Sequence, residues 1–89
     1  MAKQTITICN KLGLHARASA KLASTASAYP CEVLIAQGDV EVNGKSIMGI
    51  MMLAAAKGST LHIRTEGKQD DAALQAIVQL IEERFGEAE

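Results

Sequence analysis

The segment Gly13–Arg17 carries the residue types best suited to chemistry in this chain of 89 residues. His15 stands where an extended stretch gives way to a run of small, helix-favouring residues that begins at Ala16. The first backbone N–H groups of a helix have no intrahelical partner, and such a position favours an anion. Arg17 adds a permanently charged fork close to the histidine. This short segment therefore predicts a nucleophile, amide donors and a countercharge for one phosphoryl group.

A neutral imidazole can act as a nucleophile without a separate general base, so we expect His15 to carry the phosphoryl group itself. Arg17 would offset charge on the phosphoryl oxygens during transfer between two proteins. A single histidine at a helix start can also cap the helix without any chemistry, and Arg17 can be a solvated side chain. His62 alternates with Leu61 and Ile63, which predicts an ordinary exposed residue on the polar face of a strand.

A second candidate site is Ser46, which lies directly before a short apolar run from Ile47 to Leu53. Its hydroxyl is placed to cap a short helix, a role worth about 1 kcal/mol against alanine. A phosphate on the same oxygen would add about −1.5 to −2 charges at a helix start, where negative charge is tolerated. Phosphorylation of Ser46 would therefore change docking to a partner rather than unfold the helix.

The apolar run after Ser46 contains three of the four methionines of the chain. Flexible thioethers suit a surface that accepts several partners in turn. A helix has only one outward side, so part of this run must belong to the core, and we expect Ile50 and Leu53 to be buried. The predicted partner-binding residues are Ile47, Met48 and Met51 of this run, with Ala16 and Ala20 of the preceding helix.

The elements that must position these residues can be predicted from apolar periodicity, because strands alternate with period two and helices with period 3.6. Tyr29-Pro30 stops the first helix, since proline disfavours helical geometry at the residue before it. Gly38-Asp39 suits a tight hairpin turn between two strands. The predicted strands are 5–8, 31–36, 40–43 and 60–65, and the predicted helices are 16–28, a short helix capped by Ser46 and stopped by Lys57-Gly58, and a run from Asp70 whose spacing extends to Phe85.

The predicted element order is β-α-β-β-α-β-α, with each strand apolar on one face only. This pattern favours an antiparallel sheet that carries its helices on one side, which is an α+β fold of two layers. No repeat, charge block or linker divides residues 1–89, so we expect a single domain.

The charge of the chain argues against nucleic acid and anionic lipid as partners. Its formal net charge is −1, whereas such binding depends on clustered Lys and Arg. The longest nearly apolar run is too short to cross a membrane and the first residues show no signal-peptide pattern, so we expect a cytoplasmic protein without membrane insertion. Cys9 and Cys31 match no metal-ligand spacing, so we expect reduced thiols, no metal and no cofactor.

The segments 13–17 and 43–51 resemble the active-site motif and the regulatory-serine segment of the histidine-containing phosphocarrier proteins, HPr, of the bacterial sugar phosphotransferase system. The similarity extends over essentially the whole chain, through Ala-Lys-Gly-Ser at 56–59 and the final amphipathic helix. It implies an open-faced sandwich, in which three helices cover one face of a four-stranded antiparallel sheet with the strand order 1-4-2-3.

The resemblance also implies a chemistry and a set of partners. The histidine matching His15 accepts phosphate on Nδ1 from Enzyme I and passes it to Enzyme IIA domains, so the chain would be a carrier rather than an autonomous enzyme. The serine matching Ser46 is phosphorylated in regulated members by an HPr kinase/phosphorylase. We expect a monomer that meets these partners in turn.

One position departs from the resemblance, because the family usually has proline after the arginine and this chain has Ala18. Alanine is an excellent helix former and keeps the N–H that proline lacks, so we expect the helix to persist. Two alternatives stay open at this point. One is a regulatory, nitrogen-type phosphocarrier that serves no sugar permease, and the other is a small ligand-sensing domain that begins with the same element order and transfers no phosphate.

Overall fold

The computed structural model describes residues 1–89 and contains four strands, three α-helices and one turn of 3₁₀ helix. Period-two segments form the strands, and the alanine-rich and apolar-striped segments form the helices, as their spacing dictates. The elements are β1 (Ala2–Thr7), α1 (Ala16–Ser27), β2 (Glu32–Gln37), β3 (Val40–Asn43), α2 (Ile47–Met52), β4 (Thr60–Glu66), α3 (Asp70–Glu82) and the 3₁₀ turn Arg84–Gly86.

All four strands join one antiparallel sheet in the order β1-β4-β2-β3. In this sheet Ile6 of β1 lies opposite Leu61 of β4, and Ile63 lies opposite Ile35 of β2. Successive side chains point to opposite faces of a strand, so these apolar residues share the face that packs against the helices. The predicted α+β fold and the strand order 1-4-2-3 are confirmed.

The core lies between the sheet and the three helices. Its buried residues come from both layers: Ile35 of β2 and Leu61 of β4 are fully buried, as are Leu22 of α1, Ile50 of α2 and Ile77 of α3. Small side chains on α1 allow close packing against its neighbours α2 and α3. No helix of the structure combines the length and the apolar character that crossing a membrane requires.

Two helix ends differ from the sequence prediction. Helix α2 ends at Met52, and Ala54 takes a left-handed φ of 49°, so the chain leaves the helix before Lys57-Gly58. Helix α3 ends at Glu82, after which residues 84 and 85 have φ of +57° and +56°. Phe85 is fully buried, but it reaches the core after this reversal and not along the helical stripe. Burial of the aromatic ring offsets the strain of the left-handed backbone.

Candidate functional site

His15 occupies the N-cap position of α1, with extended backbone angles of −73° and 178°. The first hydrogen bond of the helix runs from the Ser19 amide to the His15 carbonyl at 2.8 Å. The amides of residues 16, 17 and 18 therefore precede the helical hydrogen-bond ladder and have no intrahelical acceptor. The side chain of His15 is 28% exposed and makes no hydrogen bond to these amides, and the residue itself stands at the helix start, as the sequence predicts.

The loop between β1 and α1 is held against the segment that follows α2. Gly13 has a φ of +66°, and a Cβ built on it would lie 2.4 Å from the carbonyl oxygen of Ala55. Only glycine fits this left-handed position and close approach. The neighbouring Leu14 is buried and its amide donates to the same Ala55 carbonyl at 2.9 Å. The backbone that leads into His15 is therefore fixed. Helix α1 persists, as expected, although Ala18 stands where the resembling family usually has proline.

The Nε2 atom of His15 contacts a carboxylate that the sequence did not predict. Oε2 of Glu87 lies 2.5 Å from Nε2, although the two residues are separated by 72 positions in the chain. The side chain of Glu87 is only 16% exposed. An ionised carboxylate can only accept a hydrogen bond, so the proton of this contact belongs to Nε2.

Asn10 holds the other oxygen of the same carboxylate. Its side-chain Nδ2 donates to Oε1 of Glu87 at 3.0 Å and to the carbonyl of Gly13 at 2.9 Å. Asn10 is fully buried, and reversing its amide would turn Oδ1 towards these two acceptors, which excludes the reversed orientation. Both carboxylate oxygens of Glu87 are therefore hydrogen-bonded, one to a buried amide and the other to the imidazole.

The segment 84–89 is fixed at three points, which explains how Glu87 reaches the ring. Phe85 anchors it in the core, and Lys21 of α1 donates through Nζ to the Phe85 carbonyl at 2.6 Å. At its other end Glu89 accepts from the Lys11 amide at 3.0 Å and forms an ion pair with the Lys11 ammonium at 3.2 Å. The left-handed turn at 84–85 directs the segment back over the β1–α1 loop.

The hydrogen bond from Asn10 lowers the pKa of Glu87 from its ordinary value of 4.5, and the hydrogen bond from His15 lowers it further. A carboxylate with a lowered pKa in the folded state stabilises the fold fully above the unfolded-state pKa. That contribution is lost as the pH falls through the lower, folded-state value.

We therefore expect the free energy of unfolding to fall less steeply in Glu87→Gln than in the wild type between neutral pH and about pH 3, because glutamine has no proton to gain. Urea unfolding at a series of pH values measures the difference. Glu89→Gln, which removes the nearby carboxylate paired with Lys11, should keep the steeper wild-type loss. Equal slopes for the wild type and Glu87→Gln would contradict the lowered pKa.

Arg17 lies with His15 on one surface cleft of about 650 Å³. Its side chain is exposed, and it takes part in none of the four ion pairs of the structure. Lys11 and Leu12 line the same cleft, together with Glu87 and Glu89 of the segment 84–89. The cleft thus joins the imidazole to an unengaged guanidinium, an arrangement able to bind the oxygens of a phosphoryl group.

Ser46 is the N-cap of α2, as predicted, because its Oγ accepts a hydrogen bond from the Gly49 amide at 3.0 Å. Ser46 as a whole is half-buried. Lys45 does not extend over this site, since its Nζ donates to the Tyr29 carbonyl at 2.7 Å. The charge of Lys45 therefore lies at the C-terminal end of α1 and not over Ser46.

The apolar side chains of α2 divide between core and surface as the helical spacing predicts. Ile50 and Leu53 are buried, whereas Met48 is 78% exposed and Ile47 and Met51 are also exposed. On α1, Ala16 is exposed and Ala20 is half-buried. Because α1 and α2 pack against each other, all five predicted partner-binding residues lie on one two-helix layer. Leu12 and Met52 add exposed apolar surface, 66% and 76% exposed respectively.

Five residues of the site were not predicted from the sequence: Lys11, Leu12, Glu87 and Glu89 line the cleft, and the buried Asn10 holds Glu87. Each has an ordinary residue type for a loop or a chain end, and no local spacing marks it. The sequence holds one indirect signal for these contacts. The apolar Phe85 is followed by Gly86 after a long helix, which indicates that the chain turns back on the core. That signal predicts a change of chain direction, but it does not predict which residues the returning segment contacts.

Comparison with known proteins agrees with this geometry. The family model described as "PTS HPr component phosphorylation site" matches residues 2–83. A phosphocarrier protein HPr of Pseudomonas aeruginosa is 58% identical over 85 residues, which are 94% of each chain. A phosphocarrier protein NPr of Shewanella violacea is 44% identical and covers 97% of this chain and 94% of its own.

A solved structure gives the same result in three dimensions. The crystal structure of HPr-C-His from Thermoanaerobacter tengcongensis is similar over 100% of both chains, with a TM-score of 0.96 and 42% sequence identity. The sequence motifs, the fold and the sequence similarity over nearly the whole chain all point to the same family. The chain therefore belongs to the HPr family of phosphocarrier proteins of the phosphotransferase system.

Proposed function

We propose that residues 1–89 act as one phosphocarrier domain in the cytoplasm, in which His15 accepts a phosphoryl group from Enzyme I and passes it to Enzyme IIA domains. The observation that carries this proposal is the position of the His15 ring, surface-exposed at the N-cap of α1 and on one cleft with Arg17. The chain would carry the group as a covalent phosphohistidine and need no cofactor.

The uptake step follows from the groups on the cleft. The lone pair of a ring nitrogen of His15 attacks phosphorus, the bond from phosphorus to the donor breaks, and its electron pair leaves with the donor. Arg17 offsets charge on the oxygens while the group lies between two proteins. The free amides of residues 16–18 favour the bound anion by a fraction of a kcal/mol up to ~2 kcal/mol. An interaction of this size stabilises the intermediate without preventing onward transfer.

Incubation of the protein with phosphoenolpyruvate and Enzyme I tests the proposal. We expect a mass increase of one phosphoryl group that is lost in acid and maps to His15, since phosphoramidates are acid-labile. Addition of an Enzyme IIA domain should then remove the label from His15. An unlabelled protein in the presence of active Enzyme I would refute the carrier function.

The two-helix surface of Ala16, Ala20, Ile47, Met48 and Met51 is proposed as the docking surface for these partners. Its exposed thioethers can adapt to different contact shapes, which suits a carrier that must bind a donor and several acceptors in succession. The exposed Arg17 at its edge would pair with acidic groups of a partner.

Ser46 is proposed as a regulatory phosphorylation site for an HPr kinase/phosphorylase. The residue is half-buried, its Oγ accepts only the Gly49 amide, and it precedes the exposed Ile47 and Met48. A phosphate there would meet the positive end of α2 and place two negative charges beside an apolar docking surface. Binding of partners would weaken without loss of the fold.

We expect Ser46→Ala to lose all labelling by kinase and ATP, and to lower the free energy of unfolding by about 1 kcal/mol through loss of the cap. Ser46→Asn keeps a capping side chain and separates the two effects, because it should remain stable and stay unlabelled. Phosphate incorporation in Ser46→Ala at the wild-type level would place the modification elsewhere.

A nitrogen-type regulatory carrier is the second candidate function, because the NPr of Shewanella violacea is similar over nearly the whole chain. The phosphorylation chemistry at His15 would be the same in both. Phosphotransfer from the labelled protein to a sugar-type and to a nitrogen-type Enzyme IIA domain discriminates between them, since the physiological acceptor should be labelled faster.

A further inference from the structure

A chain of hydrogen bonds outside the two sequence motifs reaches the back of the His15 ring. It runs from the Gly13 carbonyl through Asn10 Nδ2 to Oε1 of Glu87, and from Oε2 of Glu87 to Nε2 of His15. We propose that Glu87 is a positioning residue, which holds the ring proton on Nε2 and thereby makes Nδ1 the phosphoryl acceptor. This inference rests on the proposed carrier function of His15.

The geometry determines which nitrogen is free. Glu87 stays ionised at neutral pH because its pKa is lowered by Asn10 and His15, and a carboxylate has no proton to donate. Nε2 must therefore be the donor. A neutral imidazole carries a single ring proton, so its Nδ1 bears the lone pair and forms no hydrogen bond to the helix that follows.

The arrangement is suited to both states of the carrier. When Nδ1 attacks, a P–N bond forms at Nδ1, the donor leaves with the electron pair of the broken bond, and Nε2 keeps its proton throughout. The ring becomes cationic at that moment, and its positive charge lies against the carboxylate of Glu87. A carboxylate that orients an imidazole and stabilises its cation in this way contributes to reactivity without touching the transferred group.

The variant Glu87→Gln gives a sharp test, because Asn10 dictates how the new amide is oriented. Asn10 Nδ2 is held by the Gly13 carbonyl and still requires an acceptor, so the carbonyl oxygen of the glutamine side chain turns towards Asn10. The amide NH₂ then faces Nε2 of His15, which must become an acceptor. The ring proton is expected to move to Nδ1, and the nucleophilic lone pair is lost from that atom.

Nitrogen-15 NMR of the imidazole measures the proton position directly and requires no Enzyme I. We expect a protonated Nε2 and a free Nδ1 in the wild type, and the reverse in Glu87→Gln. Glu87→Ala leaves the ring without a directing partner and should give a mixture of the two tautomers. Glu89→Gln, which removes the other carboxylate of the segment 84–89, is the matched control and should keep the wild-type pattern. The same spectra show that each variant is folded.

Phosphoryl uptake from Enzyme I gives the second readout. We expect Glu87→Gln to be slowed by about 10- to 100-fold, because the tautomer with a free Nδ1 would there lose the hydrogen bond between Nε2 and the glutamine amide, and Glu87→Ala to be slowed less. A merely structural carboxylate predicts the opposite order, since glutamine keeps the volume and the Asn10 contact. A protonated Nε2 in Glu87→Gln, or faster uptake by Glu87→Gln than by Glu87→Ala, would overturn the assignment. Failure of Enzyme I to label the wild type would instead refute the carrier function.

Discussion

His15→Ala is expected to abolish phosphoryl uptake from phosphoenolpyruvate and Enzyme I. The variant removes the only imidazole of the cleft, and no other side chain there is a neutral nitrogen nucleophile: Lys11 is paired with Glu89, and Arg17 keeps its proton. The loss should be complete to the limit of detection, because the covalent intermediate has no alternative attachment point.

His62→Ala is the matched control for this variant. His62 is exposed on the uncovered face of the sheet, where its Nδ1 lies 3.0 Å from the Thr5 hydroxyl. After incubation with Enzyme I, the His62→Ala variant should carry the same label as the wild type, as measured by mass spectrometry. Acid-labile phosphate in His15→Ala, or its loss in His62→Ala, would contradict the assignment of the acceptor.

The features that could be predicted from the sequence are those that local physics determines. The start of α1 at Ala16, the strand Val40–Asn43 and the cap at Ser46 each depend on neighbouring residues, and the structure reproduces all three. The burial of Ile50 beside the exposed Met48 follows from the helical repeat alone. These elements determine that His15 stands at a helix start and that Met48 is exposed on α2.

The remaining features depend on contacts between distant parts of the chain. Apolar spacing extended α3 to Phe85, yet burial of that ring is reached through two left-handed residues that no propensity favours. The carboxylate of Glu87 meets His15 only because this reversal brings it across the sequence. Ala54 shows the same limit, since a left-handed alanine ends α2 without any glycine signal. Tertiary packing overrides the local preference in each case.

The predicted and the unpredicted halves of the cleft have different electrostatic roles. The Arg17 guanidinium is exposed and makes no ion pair, whereas the Glu87 carboxylate is hydrogen-bonded to Nε2 of His15. In the proposed transfer, the cation would lower the energy of an incoming phosphoryl group, and the carboxylate would stabilise the ring as it becomes cationic. The arginine should therefore affect the transfer step itself, and the carboxylate the orientation of the nucleophile.

Arg17→Ala is expected to slow phosphoryl exchange with Enzyme I by about 10²- to 10³-fold, the loss typical of a group that stabilises charge only in the transition state. Its stability should change by less than about 0.5 kcal/mol, since the side chain is exposed and makes no ion pair. Arg17→Lys keeps the charge but lacks the planar fork, so its rate should lie between those of the wild type and the alanine variant.

Rapid-quench measurement of labelled phosphate, combined with thermal unfolding, separates the two effects of the arginine. Arg64→Ala is the control for a loss of positive charge. Arg64 is paired with Glu41 at 3.2 Å and, like His62 two residues before it on β4, lies on the face of the sheet that points away from the helices. That variant should exchange phosphate at the wild-type rate. Exchange by Arg17→Ala at the wild-type rate would remove the arginine from the mechanism and would leave the helix-start amides and Lys11 of the same cleft to stabilise the transferred anion.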